Sequence, residues 1–231
     1  TGYKNLMYLS SMSYIEGFYY YPRINKKILK EHSEGLVCSS ACLQGEVSWH
    51  LNLSERNVKF GAKGYERAKE VALEYKEIFG DDFYLEIMRH GIGDQRRIDD
   101  DILRIAKETD IKVIATNDTH YTFKERAAAH EVFMCIAMNK TLDDPNRLRH
   151  SVHEFFVKSK EQMNELFLDI PEAIENTQEI EDKCNLEIKL GNPTPPNFKF
   201  TLECAKERNL TLPEPENRYS FKNDAVFFEH E

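Results

Sequence analysis

Residues 62–116 read AKGYERAKEVALEYKEIFGDDFYLEIMRHGIGDQRRIDDDILRIAKETDIKVIAT, and this stretch decides the fold class. Tyr65, Ala68, Val71, Ala72, Tyr75, Ile78 and Phe79 recur at a 3.6-residue period, which predicts an amphipathic helix over 62–79. Gly80 then stands where a helix takes a left-handed residue past its end. Phe83 to Met88, aromatic and β-branched, predicts a strand. Ile98, Ile102, Ile105 and Ala106 mark a second helix, and Lys112-Val113-Ile114-Ala115-Thr116 a second strand. Helix, strand, helix, strand in that order calls for parallel strands with helical crossovers. The expected class is therefore α/β, layered or barrel-like.

Upstream, Leu6, Leu9 and Met12 are spaced as on one helix face, so Tyr3 to Ile15 reads as a helix. The aromatic cluster Phe18-Tyr19-Tyr20-Tyr21 meets Pro22, which ends any helix there, and Ile24 to Lys30 suits a short one. Gly35-Leu36-Val37-Cys38 reads as a buried strand leading into the small residues Ser39-Ser40-Ala41-Cys42. Downstream, Thr122 to Glu125 has capping-box spacing before an Ala-rich helix over 124–138. Ser159 to Gln162 repeats that device, and Pro171 suits the first turn of a helix carrying Ala173, Ile174, Thr177, Ile180 and Cys184. Past Leu190 the prolines Pro193, Pro195, Pro196, Pro213 and Pro215 crowd a weakly periodic segment, so 191–231 is expected to be a linker or the start of another domain.

With 41% hydrophobic residues over 231 positions, the chain can bury a core. Its net charge of -9, from 31 basic and 40 acidic residues, does not suit a chain that coats itself in nucleic acid unaided. The five cysteines are odd in number and lack CxxC spacing, which with no leader in view suggests a reducing cytoplasm. No apolar run approaches the roughly 18 residues of a membrane span. A start at Thr1 and an abrupt end at Glu231 suggest a piece of a longer chain.

The strongest chemical signal is Thr116-Asn117-Asp118-Thr119-His120, at the carboxyl end of a predicted strand. Residues two apart in extended chain point the same way, so Asp118 and His120 can face one point. A carboxylate with an imidazole suits zinc, manganese or iron, and strand carboxyl ends are where α/β folds place their sites. The plainer alternative has Asp118 capping a turn and His120 packed at the surface. His90 also follows a strand, next to Gly91, and can line the same cleft or serve as a polar cap. Cys42 can offer a thiolate to a soft metal, whereas Cys38, inside the expected strand, suits packing. Arg23 can meet a phosphate or pair with an acidic neighbour. His32, His130, His150 and His153 show no partner spacing, and no Gly-rich phosphate loop or Ser-His-Asp order is present.

Several phrases together resemble bacterial DNA polymerase III alpha subunits: Gly2 to Met7, Glu16 to Ile24, Gly35 to Leu43, Phe83 to Gly91, Ala115 to Tyr121 and Pro171 to Thr177. The resemblance runs in order over residues 1–190. It implies a PHP domain over 1–190, the later part of a distorted barrel of seven strands and helices with its first strands upstream of Thr1. Residues 191–231 would then be a connector toward the polymerase palm. In that family up to nine ligands gather around as many as three metal ions, zinc or manganese. By resemblance Cys42, Asp118 and His120 take the last three ligand positions, His90 sits beside the cleft, and the earlier ligands lie upstream; Arg23 is a further candidate for the cleft lining. The parent would extend DNA from deoxynucleoside triphosphates with magnesium at a palm beyond Glu231, with 3′-5′ exonuclease proofreading in the PHP domain, among other replicase subunits and away from membranes. The piece by itself would be inactive and a weak nucleic-acid binder. A silent scaffold or docking module in the same polymerase and a free-standing phosphatase are the alternatives, and the proline-rich stretch counts against the second.

Overall fold

Cys38–Ser39 (β1), Phe83–Met88 (β2) and Val113–Thr116 (β3) form a parallel sheet in that order, β1 pairing from Cys38 to Phe83 and β3 from Val113 to Leu85. The structure is a computed structural model that describes residues 1–188, 190 and 191, and the strand residues 219–220 and 226–227. Thr1–Leu186 forms one compact unit and Glu187–Glu231 a second. The second unit contains an antiparallel pair, Tyr219–Ser220 (β4) with Val226–Phe227 (β5). Apart from Gly191 and that pair, the 191–231 segment expected as a connector lies outside the described residues.

The helices are Gly2–Ile15 (α1), Lys26–Glu31 (α2), Glu46–Leu51 (α3), Glu55–Lys59 (α4), Tyr65–Phe79 (α5), Gly93–Thr109 (α6), Ala127–Ala137 (α7), Lys160–Leu166 (α8) and Pro171–Lys183 (α9). The expected helix-strand-helix-strand run is present as α5, β2, α6 and β3, giving a mixed α/β fold built on a small parallel sheet. Alternate residues of β2 face opposite ways. Phe83, Leu85 and Ile87 join Ala68, Val71 and Ala72 of α5 and Ile98, Ile102 and Ile105 of α6 in the core, with Val113 and Ala115 of β3 beside them. On the other face Tyr84 and Ile114 are also buried, as a parallel strand covered on both sides requires. No helix among the described residues is long and apolar enough to cross a membrane.

Glu86 projects from the centre of β2 and is buried among hydroxyls. Ser39 on β1 donates to its carboxylate at 2.5 Å, and Thr116 on β3 donates to the other oxygen. One carboxylate thus ties all three strands together and satisfies its own buried oxygens.

Three expectations are corrected. The strand expected over Leu36–Cys38 begins only at Cys38, because Gly35 turns the chain at φ 74° and the Leu36 amide bonds back to Ser33. The helix expected over 124–138 starts at Ala127, and Thr122 makes no cap. Lys124–Arg126 is a tighter 3-10 turn, with the Arg126 amide donating to the Phe123 carbonyl at 2.9 Å. Helices α3 and α4 were not anticipated. At Ser159 the capping box is complete: its hydroxyl accepts from the Gln162 amide at 3.3 Å, and Gln162 Oε1 accepts from the Ser159 amide at 2.9 Å.

Candidate metal centre

β3 runs straight into the turn Asn117–His120. The His120 amide donates to the Phe155 carbonyl at 2.8 Å, the Val157 amide to the Tyr121 carbonyl at 3.2 Å, and Tyr121 bridges Phe156 in parallel. A downstream segment, 155–158, therefore backs the turn like an added strand. Asn117 locks it from within: its Nδ2 donates to Thr119 Oγ1 at 2.9 Å and to the Phe156 carbonyl at 2.7 Å, while its Oδ1 accepts from Lys158 Nζ at 3.1 Å.

On this turn Asp118 Oδ1 lies 3.1 Å from His120 Nε2, and both side chains are partly open to solvent. His90 sits directly behind. It is buried, stacks on Phe155 with ring centroids 4.7 Å apart, and its Nε2 lies 3.2 Å from the Asp118 amide. Gln95 fixes the other side, its Oε1 accepting from the His90 amide at 2.9 Å and its Nε2 lying 3.0 Å from Nδ1. Burial first, then the nearby Lys158 charge, holds the His90 imidazole below its ordinary pKa. The structure thus brings Asp118, His120 and His90 together.

His130 and His150 join them. The centroids of the His120, His130 and His150 rings are 5.2 to 5.7 Å apart, with Phe155 against His120 at 5.2 Å. Burial and then its two imidazole neighbours lower the His150 pKa. Sequence spacing gave no sign of this cluster, because α7 and the following loop deliver His130 and His150 from far along the chain. Lys158 was also missed, although a cation closing the apolar run Phe155-Phe156-Val157 was a readable signal.

Cys42 follows Ala41, which has φ 59°, and lines a small cavity with Ser48, Glu86, Met88, Gln95 and Asp99. Gln95 and Asp99 also line the groove that holds His90. Cys38 packs partly buried against the core, and burial, followed by the Glu86 charge, pushes its thiol up to about 11. Arg23 is elsewhere: it lines the groove between α1 and α2 with Tyr8, Met12 and Glu16, donates to the Tyr19 carbonyl at 2.6 Å and lies over the Tyr19 ring.

Among the described residues no three His, Cys, Asp or Glu side chains converge so as to hold a metal ion. Asp118 and His120 are a carboxylate and an imidazole at one point, a donor pair that suits zinc or manganese but is two ligands short of a tetrahedral shell.

The PHP domain family model matches residues 1–90. The DNA polymerase III subunit alpha of Campylobacter jejuni subsp. jejuni is 76% identical over 229 residues, covering 99% of this chain and 19% of that protein. The same subunit of Helicobacter pylori strain J99 is 61% identical over 235 residues, again 99% of this chain and 19% of the relative. That of Thermus aquaticus is 38% identical over 198 residues, 83% of this chain and 15% of the relative. The chain thus spans about a fifth of the length of the first two of these curated relatives.

Proposed function

We propose, from the premise that this chain belongs with the DNA polymerase III alpha subunits, that it is part of a metal-dependent phosphoesterase region within a replicative polymerase of the cytoplasm. The PHP domain takes in residues 1–190 as the later part of a distorted barrel, and 191–231 lead toward the palm. The parent protein extends DNA from deoxynucleoside triphosphates with magnesium and works among other replicase subunits. In this region the reaction is removal of a mismatched 3′ nucleotide.

The observation that carries the reading is the approach of Asp118 to His120 at 3.1 Å, on a turn at the carboxyl end of a parallel strand. These two would hold the ion, with Cys42 joining from beyond the end of β1, on the far side of β2, and the remaining donors coming from outside these 231 residues. Bound zinc or manganese supplies positive charge that neutralises a phosphodiester and acidifies water. This chain's own residues hold the donors in place. His90, buried, packs behind the Asp118 amide, and Phe155 walls the imidazoles off on one side.

The test uses the full-length polymerase with Asp118→Ala and His120→Ala combined, and measures 3′-5′ removal of a mismatched primer end with added zinc or manganese. Loss of removal with primer extension retained is the expected result; unchanged removal would refute it. A docking role is the second reading, favoured by Phe133 and Ile136 on α7, which are 68% and 72% exposed. Under that reading neither variant alters removal.

A further inference from the structure

We propose that the aromatic loop after α1 is a stacking platform for an unpaired DNA strand. The inference leaves Asp118 and His120 aside and rests only on the reading of the parent as a DNA polymerase. Tyr14, Phe18, Tyr19, Tyr20 and Tyr21 are each between 55% and 77% exposed. Rings of this size ordinarily fill cores and interfaces, so a run of them left open marks a contact surface. The loop that carries them is pinned at its base. The Arg23 amide donates to the Ser13 carbonyl at 3.3 Å, and a Cβ on Gly17 would come within 1.7 Å of the Arg23 carbonyl oxygen. At the tip the Tyr19 amide donates to the Tyr21 carbonyl at 3.2 Å around Tyr20, which stands at φ 61°. That conformation is costly for a bulky side chain and clusters where a structure holds residues ready for a ligand.

The display suits bases. The Arg23 guanidinium lies 5.6 Å from the Tyr19 centroid and donates to the Tyr19 carbonyl at 2.6 Å, which steadies that residue. Tyr20 meets Tyr19 edge to face, with centroids 4.7 Å apart and planes 73° apart, so most of their π-surface stays free. An unpaired base offers a free π-face, whereas the bases of a duplex are already stacked on one another. Charge favours the same occupant. Residues 18–30, FYYYPRINKKILK, carry four cations and no carboxylate in a chain of net charge -9. Lys26 and Lys30 are engaged by Glu46, Glu74 and Glu77. Arg23 and Lys27 pair with no carboxylate among the described residues, although Glu16 and Glu31 line the same groove. Open aromatic faces beside such cations hold a single strand without reading its sequence, and a cationic stretch without acids favours a polyanion over an apolar protein face.

The experiment iodinates the tyrosines of the full-length polymerase, alone, with oligo(dT) and with a blunt duplex, and maps the label by peptide mass. Primer extension by the same preparation checks the parent reading, and its absence would remove that reading separately from the loop. Tyr19, Tyr20 and Tyr21 are expected to take label in the free protein and to be shielded by oligo(dT) but not by the duplex. The oligo(dT) concentration that half-shields Tyr21 should rise about 10-fold in Tyr20→Leu and return in Tyr20→Phe, because the ring stacks and the hydroxyl does not. Should Tyr20→Leu not fold, the wild-type protein carries the test with oligo(dT) containing 5-iodouracil, whose photocrosslinks must fall on Tyr19, Tyr20 or Tyr21. Label unchanged by oligo(dT), or equal shielding by the duplex, would overturn the proposal. Rings already unreactive in the free polymerase, or shielded only by another replicase subunit, would assign the loop to a protein contact and overturn it too.

Discussion

Tyr84 Oη donates to Glu179 Oε1 at 2.8 Å, joining the start of β2 to α9 across 95 residues of sequence. Lys112 and Lys183 converge on the same carboxylate. Hydrogen bonds from Lys112, Tyr84 and Lys183 hold the Glu179 carboxyl down at about 2. A carboxylate depressed in the folded state adds stability above its unfolded pKa, and that contribution fades as pH falls from about 4.5 toward 2. Glu179→Gln is expected to flatten the melting temperature over that window, whereas an identical acid slope in both proteins would count against the network. Tyr84→Phe should cost about 1 kcal/mol at neutral pH, read by urea unfolding.

Arg89 reaches Asp169 through two nitrogens at 2.5 and 2.9 Å, Asp99 at 3.1 Å and the Leu166 carbonyl at 2.7 Å, pinning the α8–α9 turn to the end of β2. Arg89→Met strands the largely buried Asp99 and should destabilise by about 3 kcal/mol. Hydrogen exchange is expected to rise in residues 164–171 first, and a uniform rise across the chain would argue against a local clamp.

Removing the Ser159 hydroxyl takes away half of a complete capping box. Ser159→Ala should lose about 1 kcal/mol. Thr122→Ala, where the same spacing makes no cap, should shift stability by less than about 0.5 kcal/mol. Equal losses at both sites, by chemical denaturation, would contradict the assignment of the two helix starts.

That contrast shows where the sequence could be read and where it could not. Phe83–Met88 and the helices around it were legible because periodicity over a long window reports burial directly. The six-residue α3 and five-residue α4 are shorter than any such window, so they left no period to find. Thr122 and Ser159 carry the same motif, but the 3-10 turn at Lys124–Arg126 displaces the first helical amide from the Thr122 hydroxyl. At the candidate site, Asp118 and His120 were visible through strand alternation. His130 and His150 reach the His120 ring, and Lys158 reaches Asn117, only through tertiary packing, which one-dimensional spacing does not encode.

Ile105 of α6 is fully buried in the core. Ile105→Ala should cost between about 2 and 5 kcal/mol, in proportion to the cavity that remains. A loss under about 1 kcal/mol in thermal unfolding would mean that the neighbours collapse to fill it.

Cys38 and Cys184 should differ in chemistry. Cys184 is exposed, and the Cys38 thiol at about 11 holds far less thiolate at pH 8 than an ordinary cysteine. Iodoacetamide with peptide mapping should modify Cys184 at least about 100-fold faster. Comparable rates would show that Cys38 is not sheltered in its parallel ladder.

The segment that backs the ligand turn comes late in the chain: Phe156 lies 39 residues after Asn117, and Lys158 lies 41 after it. The contacts that Phe155, Phe156 and Lys158 make with the turn must therefore wait for a long loop to close, at an entropic cost the neighbouring helices do not bear. The order of assembly follows. Helices α5 and α6 and their strands condense from nearer contacts, and the Asp118–His120 turn sets afterwards. A nascent chain that ends before residue 155 can carry both donor residues and still have no site.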